Sequence, residues 1–238
     1  MLELTWTRRL VTLALLVYAS YSDFGSREVD DKVWIALCAL SAPLTLLELL
    51  ELSRGMLLLY ALSSYTAFTV GLALSAFELM GWADFLALAC IGITTPPGGG
   101  AFLTAIPAIS VLVNSLLASL TYPLYLLARN LHMALRGEDL FKGIKASKLE
   151  KALAIMTLTK VSAREYSEKR DFYSIAEVEA GGIKRLSFHV RIREAHPVEV
   201  EDSVWVSPYM PFILFITVGY LLHILAGCLV DVILRYAP

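Results

Sequence analysis

Two aspartates, Asp23 and Asp84, are the residues of this sequence whose type and position could do chemistry. Asp23 follows the apolar run 10–21, and Asp84 opens the apolar run 85–93. An ionisable carboxyl group at the margin of a membrane is costly, so its default interpretation is a functional site. Two neighbouring carboxyl groups cannot both ionise cheaply, so one keeps a proton while the other acts as a base. The pair therefore predicts chemistry in which a shared proton activates water and protonates a leaving group.

The composition places these aspartates in a membrane protein. The 238 residues are 57% hydrophobic and 18% charged, with a mean hydropathy of +0.65. Soluble domains are about half apolar and a quarter charged. The net charge of −2 gives no argument for a nucleic-acid partner. Cys38, Cys90 and Cys228 fall inside apolar runs without metal or disulfide spacing, which is typical of small buried side chains.

Six apolar runs approach the length of a membrane-spanning helix, which is about 20 residues. They are residues 4–22, 32–50, 55–79, 84–96, 101–131 and 208–235. The fourth run is short and ends at Pro96, Pro97 and the glycines 98–100, which stop a helix. We therefore expect an all-α polytopic membrane protein with six transmembrane helices. Two helices separate Asp23 from Asp84, and this even number predicts that both lie at the same membrane face.

A soluble insert precedes the last helix. The chain becomes charged at Arg136 and contains no spanning run before residue 207. The region 145–160 could begin as a helix, and three later segments alternate apolar and polar residues as half-buried strands do. These segments are 172–179, 186–193 and 198–206, with a hairpin turn expected at Glu179–Ile183.

Three parts follow from this pattern. Residues 1–135 hold helices one to five and the catalytic core, residues 136–206 form a soluble, β-rich cytosolic domain, and residues 207–238 form the sixth helix. If Asp23 faces the cytoplasm, Arg27, Lys32 and the basic insert share that side, in agreement with the positive-inside rule. Arg8 and Arg9 favour the opposite orientation. The prediction is a multi-pass protein of the cell membrane with its site and soluble domain on the cytoplasmic side.

The candidate site residues also have ordinary structural interpretations. Asp84 could cap a helix, because a carboxylate suits the positive end of a helix dipole. Asp23 could simply end a span at the level of the lipid headgroups. Pro208 and Pro211 are common helix-start signals, since proline lacks a donor that the first turn would leave unpaired.

Both local sequences together resemble a known family. The first is Tyr21-Ser-Asp23-x-x-x-Arg27-Glu28-Val29, and the second is Gly81-x-Ala83-Asp84 at the start of a helix. They are similar to the GxGD membrane aspartyl proteases, and most closely to the archaeal preflagellin peptidases, relatives of type IV prepilin peptidases. The resemblance covers about residues 10–130 and the last helix. It implies an aspartic endopeptidase that removes the short basic leader peptide of preflagellin or prepilin-like precursors, with Asp23 and Asp84 at the catalytic positions.

The sequence departs from the family pattern at several positions. The second motif glycine is Ala83, Leu86 stands where bacterial members often have lysine, and Val29–Asp31 replaces their Ile-Pro-Asn. The zinc-binding cysteine region and the methyltransferase segment of many bacterial members have no counterpart. These differences favour the archaeal, peptidase-only branch.

Other residues around the two aspartates are expected to shape the site. Gly81 and Ala83 are small and let a substrate backbone or another helix approach closely. Arg27 is either an interfacial anchor or a partner that orients Asp23 and favours its ionised form.

The proline segment and an acidic run complete the predicted site. By resemblance to the proline-containing loop of presenilin-type proteases, Pro208 and Pro211 border the site and position substrate. Glu28, Asp30 and Asp31 are either a solvated loop or a surface that attracts a basic leader peptide.

Two other functions remain open at this point. One is a small proton- or cation-coupled transporter that uses the carboxylates as a relay, as intramembrane carboxyls often do. Transporters frequently contain inverted repeats, and none is visible here. The other is a catalytically silent assembly protein of the same fold. The histidines form no HExxH motif and the glycines no P-loop, so no metal or cofactor is expected. The expected partners are the precursor protein and the lipid bilayer.

Overall fold

The computed structural model describes residues 2–98, 102–180, 183–188 and 203–236. The helices are α1 (Leu2–Ser26), α2 (Asp31–Leu49), α3 (Arg54–Ala76), α4 (Trp82–Thr94), α5 (Pro107–Ser119), α6 (Thr121–Leu135), α7 (Lys148–Thr157), α8 (Ala163–Glu168), α9 (Phe212–Ala226) and α10 (Leu229–Tyr236). The strands are β1 (Thr159–Ser162), β2 (Tyr173–Ile175), β3 (Glu177–Ala180), β4 (Ile183–Leu186) and β5 (Ser203–Pro208). The protein is therefore mostly helical with small antiparallel sheets.

The chain divides into two compact units. The helical unit comprises Met1–Ser119 and Pro211–Pro238, and the mixed unit comprises Leu120–Met210. α1 to α5, α9 and α10 belong to the helical unit, and the remaining elements belong to the mixed unit.

Helix α4 lies inside the helical unit, where it contacts α2, α3, α5 and α9. It has only 13 residues, and most of its side chains are buried, including Leu88 and Ile91. A helix of this length covers about 20 Å, which is shorter than the hydrocarbon layer. The longer helices around it provide the shelter that such a short apolar helix requires.

Small residues allow α4 to pack closely on α3. A Cβ atom on Gly92 would lie 2.7 Å from the Cβ of Ala67, and the hydroxyl of Ser64 donates a 2.7 Å hydrogen bond to the Gly92 carbonyl. Small side chains at a helix interface let two backbones approach in this way. The contact fixes α4, and therefore Asp84 at its start, against α3.

The described residues contain three stretches that are long and apolar enough to cross a membrane. They are Asp31–Leu49, Arg54–Ala76 and Pro107–Leu135, and α9 with α10 makes a fourth if this pair, bent by 46°, counts as one span. Six transmembrane helices were expected from the apolar runs, and length and composition alone support only these three or four.

Specific residues break the sixth apolar run. Gly227 follows α9 with a φ of +80°, a conformation that favours glycine. The Asn114 side chain then accepts a 2.9 Å hydrogen bond from the Leu229 N–H and donates a 3.0 Å bond to the Gly227 carbonyl. These bonds satisfy backbone groups that the break would otherwise leave unpaired.

The mixed unit is built around two small antiparallel sheets. In the first sheet the strand order is β1-β5-β2, and in the second β3 pairs with β4. Ala180 lies opposite Ile183, so the hairpin expected at residues 179–183 is confirmed by the strands on either side of it. Residues 189–193 and 198–202 of the other expected strands lie outside the described residues.

Trp205 of β5 anchors the core of the mixed unit. Its side chain is fully buried, its indole N–H donates a 2.9 Å hydrogen bond to the Leu140 carbonyl, and its ring stacks on Phe141 at a centroid distance of 5.1 Å. The helix expected to begin in region 145–160 is α7, but residues 159–160 belong to β1, which pairs with β5. Strand pairing with a distant segment thus overrides helix continuation after Thr157.

Candidate active site

Asp23 lies in the last turn of α1, beside Arg27. Arg27 Nη1 lies 3.9 Å from Asp23 Oδ2, and the Arg27 backbone N–H donates a 3.0 Å hydrogen bond to the Asp23 carbonyl. Both side chains are 16% exposed. Arg27 has a φ of +58°, the left-handed conformation in which helices commonly end. The helix end thus places a cation against the Asp23 carboxylate.

Hydroxyl groups fix the loop that follows α1. The hydroxyls of Ser22 and Ser26 donate hydrogen bonds of 2.8 and 3.2 Å to the Glu28 carbonyl. Asp30 then caps α2, because its carboxylate accepts a 2.9 Å bond from the Lys32 N–H. That hydrogen bond holds the pKa of Asp30 below its ordinary value, so this residue is an anion at neutral pH.

Asp84 lies in the first turn of α4. Its Oδ2 accepts a 3.0 Å hydrogen bond from the backbone N–H of Gly81, which precedes the helix. The carboxyl group therefore sits at the positive end of the α4 dipole and serves the capping role that its position suggests.

The structure brings Asp23 and Asp84 near each other. The charge of Asp23 acts on the Asp84 carboxyl group, so the two interact electrostatically although 61 positions separate them in sequence. Both lie at one end of the helical unit, where α1 ends and α4 begins. Two interacting carboxyl groups favour a state with one shared proton, which is the form that acid–base catalysis by a dyad requires.

An open cleft of about 600 Å³ lies at this end of the helical unit. It is lined by Ser22, Ser26, Glu28, Val29, Asp30, Asp31, Trp82 and Ala83. Ser22 and Ala83 are the chain neighbours of the two aspartates, and three of the lining residues are acidic. A cleft of this kind suits a substrate segment with positive charge.

Pro211 lies at the start of α9, and Pro208 lies in β5 opposite Tyr173. Helix α9 begins at Phe212, a few residues later than the proline pattern suggested. Pro211 belongs to the helical unit, whereas Pro208 belongs to the mixed unit.

The beginning of α9 is tied to α1 close to Asp23. The hydroxyls of Ser20 and Thr217 lie 2.7 Å apart, and the Ser20 hydroxyl is 3.3 Å from the carbonyl of Ile213. Ser20 precedes Asp23 by three residues. Sequence analysis missed this pair, because no local pattern links two hydroxyls that are 197 positions apart.

Sequence analysis also missed Ser22, Ser26 and Trp82. Ser22 and Ser26 lie one helical turn apart near Asp23. Serine hydroxyls at a helix end often bond nearby backbone groups, so this spacing could have predicted their hydrogen bonds to the loop. Among the described residues, no group of three or more His, Cys, Asp or Glu side chains could hold a metal ion.

Two protein-family models match the sequence. Residues 10–126, which include both aspartates, match the type IV leader peptidase family. Residues 142–229 match the archaeal peptidase A24 C-terminus, type II. No curated protein gives a significant match. The two matches cover most of the chain and indicate a protease of the membrane-bound kind, and the chain belongs to the type IV leader peptidase family.

Proposed function

We propose that this protein is a membrane aspartyl endopeptidase that removes the short basic leader peptide of preflagellin or prepilin-like precursors. The observation that carries the proposal is that Ser22 and Ala83, the chain neighbours of Asp23 and Asp84, line one cleft within the segment that matches the leader peptidase family. In this proposal six helical segments cross the cell membrane, and the two aspartates work at its cytoplasmic face.

The two carboxyl groups have different neighbours, which suggests different roles. Arg27 beside Asp23 favours the carboxylate form, so we assign Asp23 as the base. Asp84 accepts a hydrogen bond from Gly81, and the negative charge of Asp23 favours its protonated form. We therefore assign Asp84 as the group that carries the shared proton.

The reaction then follows from ordinary acid–base chemistry. Asp23 accepts a proton from water, and the water oxygen bonds to the scissile carbonyl carbon while Asp84 donates its proton to the carbonyl oxygen. The tetrahedral diol collapses with cleavage of the C–N bond as the proton held on Asp23 passes to the departing nitrogen and one diol hydroxyl returns a proton to Asp84. A carboxylic acid and an amine result, the acid then gives its proton to the amine or to solvent, and the dyad again holds one proton.

The acidic cleft supports a basic leader as substrate. Glu28, Asp30 and Asp31 line it, and complementary charge accelerates encounter and fixes the register of a bound segment. Pro211 at the start of α9 is proposed to border the bound precursor, since the first turn of α9 is bonded to α1 through Ser20. By the family resemblance, Pro208 is proposed to help position the precursor as well.

The test is cleavage of a preflagellin by detergent-purified protein, followed as a size shift on a gel. Asp23→Asn and Asp84→Asn keep the shape of the side chain but remove its acid–base capacity. Each variant is expected to cut about 10²–10⁴-fold more slowly. Asp171→Asn, the same change at an exposed position of the mixed unit, should cut at the wild-type rate.

Circular dichroism and thermal unfolding must show that all three variants are folded. Wild-type cleavage by either Asp23→Asn or Asp84→Asn would remove that residue from the mechanism. If the wild type cuts none of several precursors but supports proton uptake in vesicles, the carboxylates serve a transporter instead.

A further inference from the structure

A second cavity, of about 340 Å³, lies at the opposite end of α1 from Asp23. It is lined by Arg8, Arg9, Thr95, Pro96, Gly98, Thr104, His223, Ile224, Leu225, Ala226, Gly227, Asp231, Val232 and Arg235. Arg9 precedes Asp23 by 14 positions on one helix, which corresponds to about 20 Å. The proposed chemistry of the two aspartates does not use this cavity.

The charges around this cavity leave a positive excess. Arg8 is held by a bidentate pair of hydrogen bonds, both 3.1 Å, to the carboxylate of Glu48, so these two charges cancel. Asp231 offsets one further cation, and its carboxylate is occupied by the Thr104 N–H at 2.7 Å and the Thr104 hydroxyl at 2.8 Å. Arg9 and Arg235 together carry two positive charges, and Asp231 balances one of them. One positive charge therefore remains without a counterion among the lining residues.

A buried hydroxyl group also lines the cavity. Thr95 is 5% exposed, and its Oγ1 has no hydrogen-bond partner of normal geometry among the described residues. The buried hydroxyl of Tyr220 lies near it, and when these two hydroxyls bond each other one O–H still lacks an acceptor. A buried polar atom without a partner is costly, and a bound acceptor would satisfy it.

The wall of the cavity is held rigidly by hydrogen bonds. The Thr104 hydroxyl accepts a 2.9 Å bond from the Cys228 N–H, and a Cβ atom on Gly227 would lie 2.8 Å from Thr104. Asn114 bonds the same break between α9 and α10 from the other side. The start of α10, the helix that carries Arg235, is thus held in place, which reduces the entropy cost of binding a ligand.

The outer surface next to the cavity is apolar. Four apolar side chains on this surface are each more than 60% exposed: Leu225, Ile233, Leu234 and Tyr236. A chain of a membrane-bound family can present such side chains to lipid. Asp231 and Arg235 on the same short helix are cavity residues. Helix α10 therefore presents polar groups to the cavity and apolar groups to its surroundings, as helices at a membrane interface do.

We propose that this cavity binds a singly charged phosphate group, held by Arg9, Arg235 and the Thr95 hydroxyl. Guanidinium groups match phosphate oxygens in geometry and charge, and a phosphodiester carries the one negative charge that the cavity lacks. The group can come from an anionic phospholipid, whose chains would lie along the apolar side of α10, or from free phosphate. The site is independent of leader cleavage.

The experiment measures binding to the purified full-length protein by native mass spectrometry. Three probes are titrated separately: phosphatidylglycerol, phosphatidylcholine and inorganic phosphate. Arg9→Gln and Arg235→Gln are compared with the wild type, and Arg54→Gln serves as the matched control, since it makes the same change at the exposed start of α3. Thr95→Val tests the hydroxyl, and leader cleavage in lipid-free detergent reports whether each variant is folded.

We expect phosphatidylglycerol to bind more tightly than phosphatidylcholine, and each cavity arginine variant to weaken it about fivefold. Arg54→Gln should leave the affinity unchanged, and the cavity variants should cleave precursors at the wild-type rate. Tight binding of inorganic phosphate with the same arginine dependence would assign the site to free phosphate. Equal phosphatidylglycerol affinity in all variants, or equal weakening by Arg54→Gln, would overturn the proposal, because lipid would then bind only to the general surface.

Discussion

The backbone N–H of Gly81 donates a 3.0 Å hydrogen bond to Oδ2 of Asp84. A Cβ atom on residue 81 would lie 3.1 Å from that same oxygen, which is tighter than nearly all real contacts of this kind. The missing side chain at position 81 therefore lets the carboxyl group reach the backbone at the start of α4.

Gly81→Ala is expected to slow leader cleavage about tenfold, because small displacements of a reacting group are costly to the rate. The backbone at residue 81 is extended and accepts alanine, so the variant should fold. Gly55→Ala is the control, since a Cβ atom there meets nothing within 4 Å. The measurement is the cleavage rate of the wild type, Gly81→Ala and Gly55→Ala at saturating precursor. Equal rates would mean that a displaced Asp84 carboxyl group still catalyses cleavage.

Arg27 combines a backbone role with a charge, and two substitutions separate them. Arg27→Gly suits the φ of +58° but removes the cation next to Asp23, so we expect kcat to fall about tenfold while thermal stability holds or rises. Arg27→Lys keeps the charge and should retain more activity. If Arg27→Gly cleaved like the wild type, Arg27 would serve only to end the helix.

Asp31→Asn removes one charge from the cleft without touching the two candidate catalytic residues. We expect KM for a basic leader to rise up to about fivefold with kcat unchanged, since exposed charge pairs are worth about 0.2–1 kcal/mol. The difference should vanish at about 1 M salt, where the screening length is about 3 Å. Asp171→Asn is the matched control. A loss of kcat rather than a rise in KM would contradict a purely electrostatic role.

Asn130 joins three elements of the mixed unit. Its fully buried amide donates bonds of 2.8 and 2.7 Å to the Ile155 and Leu158 carbonyls and accepts one of 3.3 Å from the Thr159 hydroxyl. Asn130→Ala leaves these groups unpaired and should destabilise the mixed unit by about 2–4 kcal/mol.

Hydrogen exchange of peptides that cover residues 153–162 measures this effect. Protection should fall there in Asn130→Ala and stay at the wild-type level in Leu149→Ala, an exposed position of α7. Unchanged protection in Asn130→Ala would show that the three bonds contribute little.

Glu150 gives the start of α7 a defined pH dependence. The Ser147 N–H donates a 2.6 Å hydrogen bond to the Glu150 carboxylate, which lowers the pKa of Glu150 from its ordinary 4.5. A lowered pKa stabilises the folded state above about pH 4.5, and this contribution is lost as the pH falls through the folded-state value. Amide protection of α7 should decrease over that range. In Glu150→Gln this decrease should be absent, and an identical profile would disprove the cap.

Much of the fold follows from local pattern. The apolar runs mark the helices of the helical unit, and the prolines after Thr94 end α4 where expected. Of the alternating segments, 172–179 contains β2 and β3 and 198–206 contains most of β5, whereas β4 (Ile183–Leu186) meets the expected strand 186–193 only at Leu186. These features depend on residues that are neighbours in sequence, so composition and period suffice to predict them.

The sequence by itself determined the candidate pair Asp23 and Asp84, because their chemistry and their position beside apolar runs are local properties. Only the tertiary structure decided that the Asp23 charge reaches Asp84, that Ser20 meets Thr217, and that β1 is a strand. Each of these depends on a partner far away in the chain. Buried polar groups and strand edges must be hydrogen-bonded, and the packing of distant segments decides which group each one bonds to. A local sequence pattern therefore cannot predict these partners.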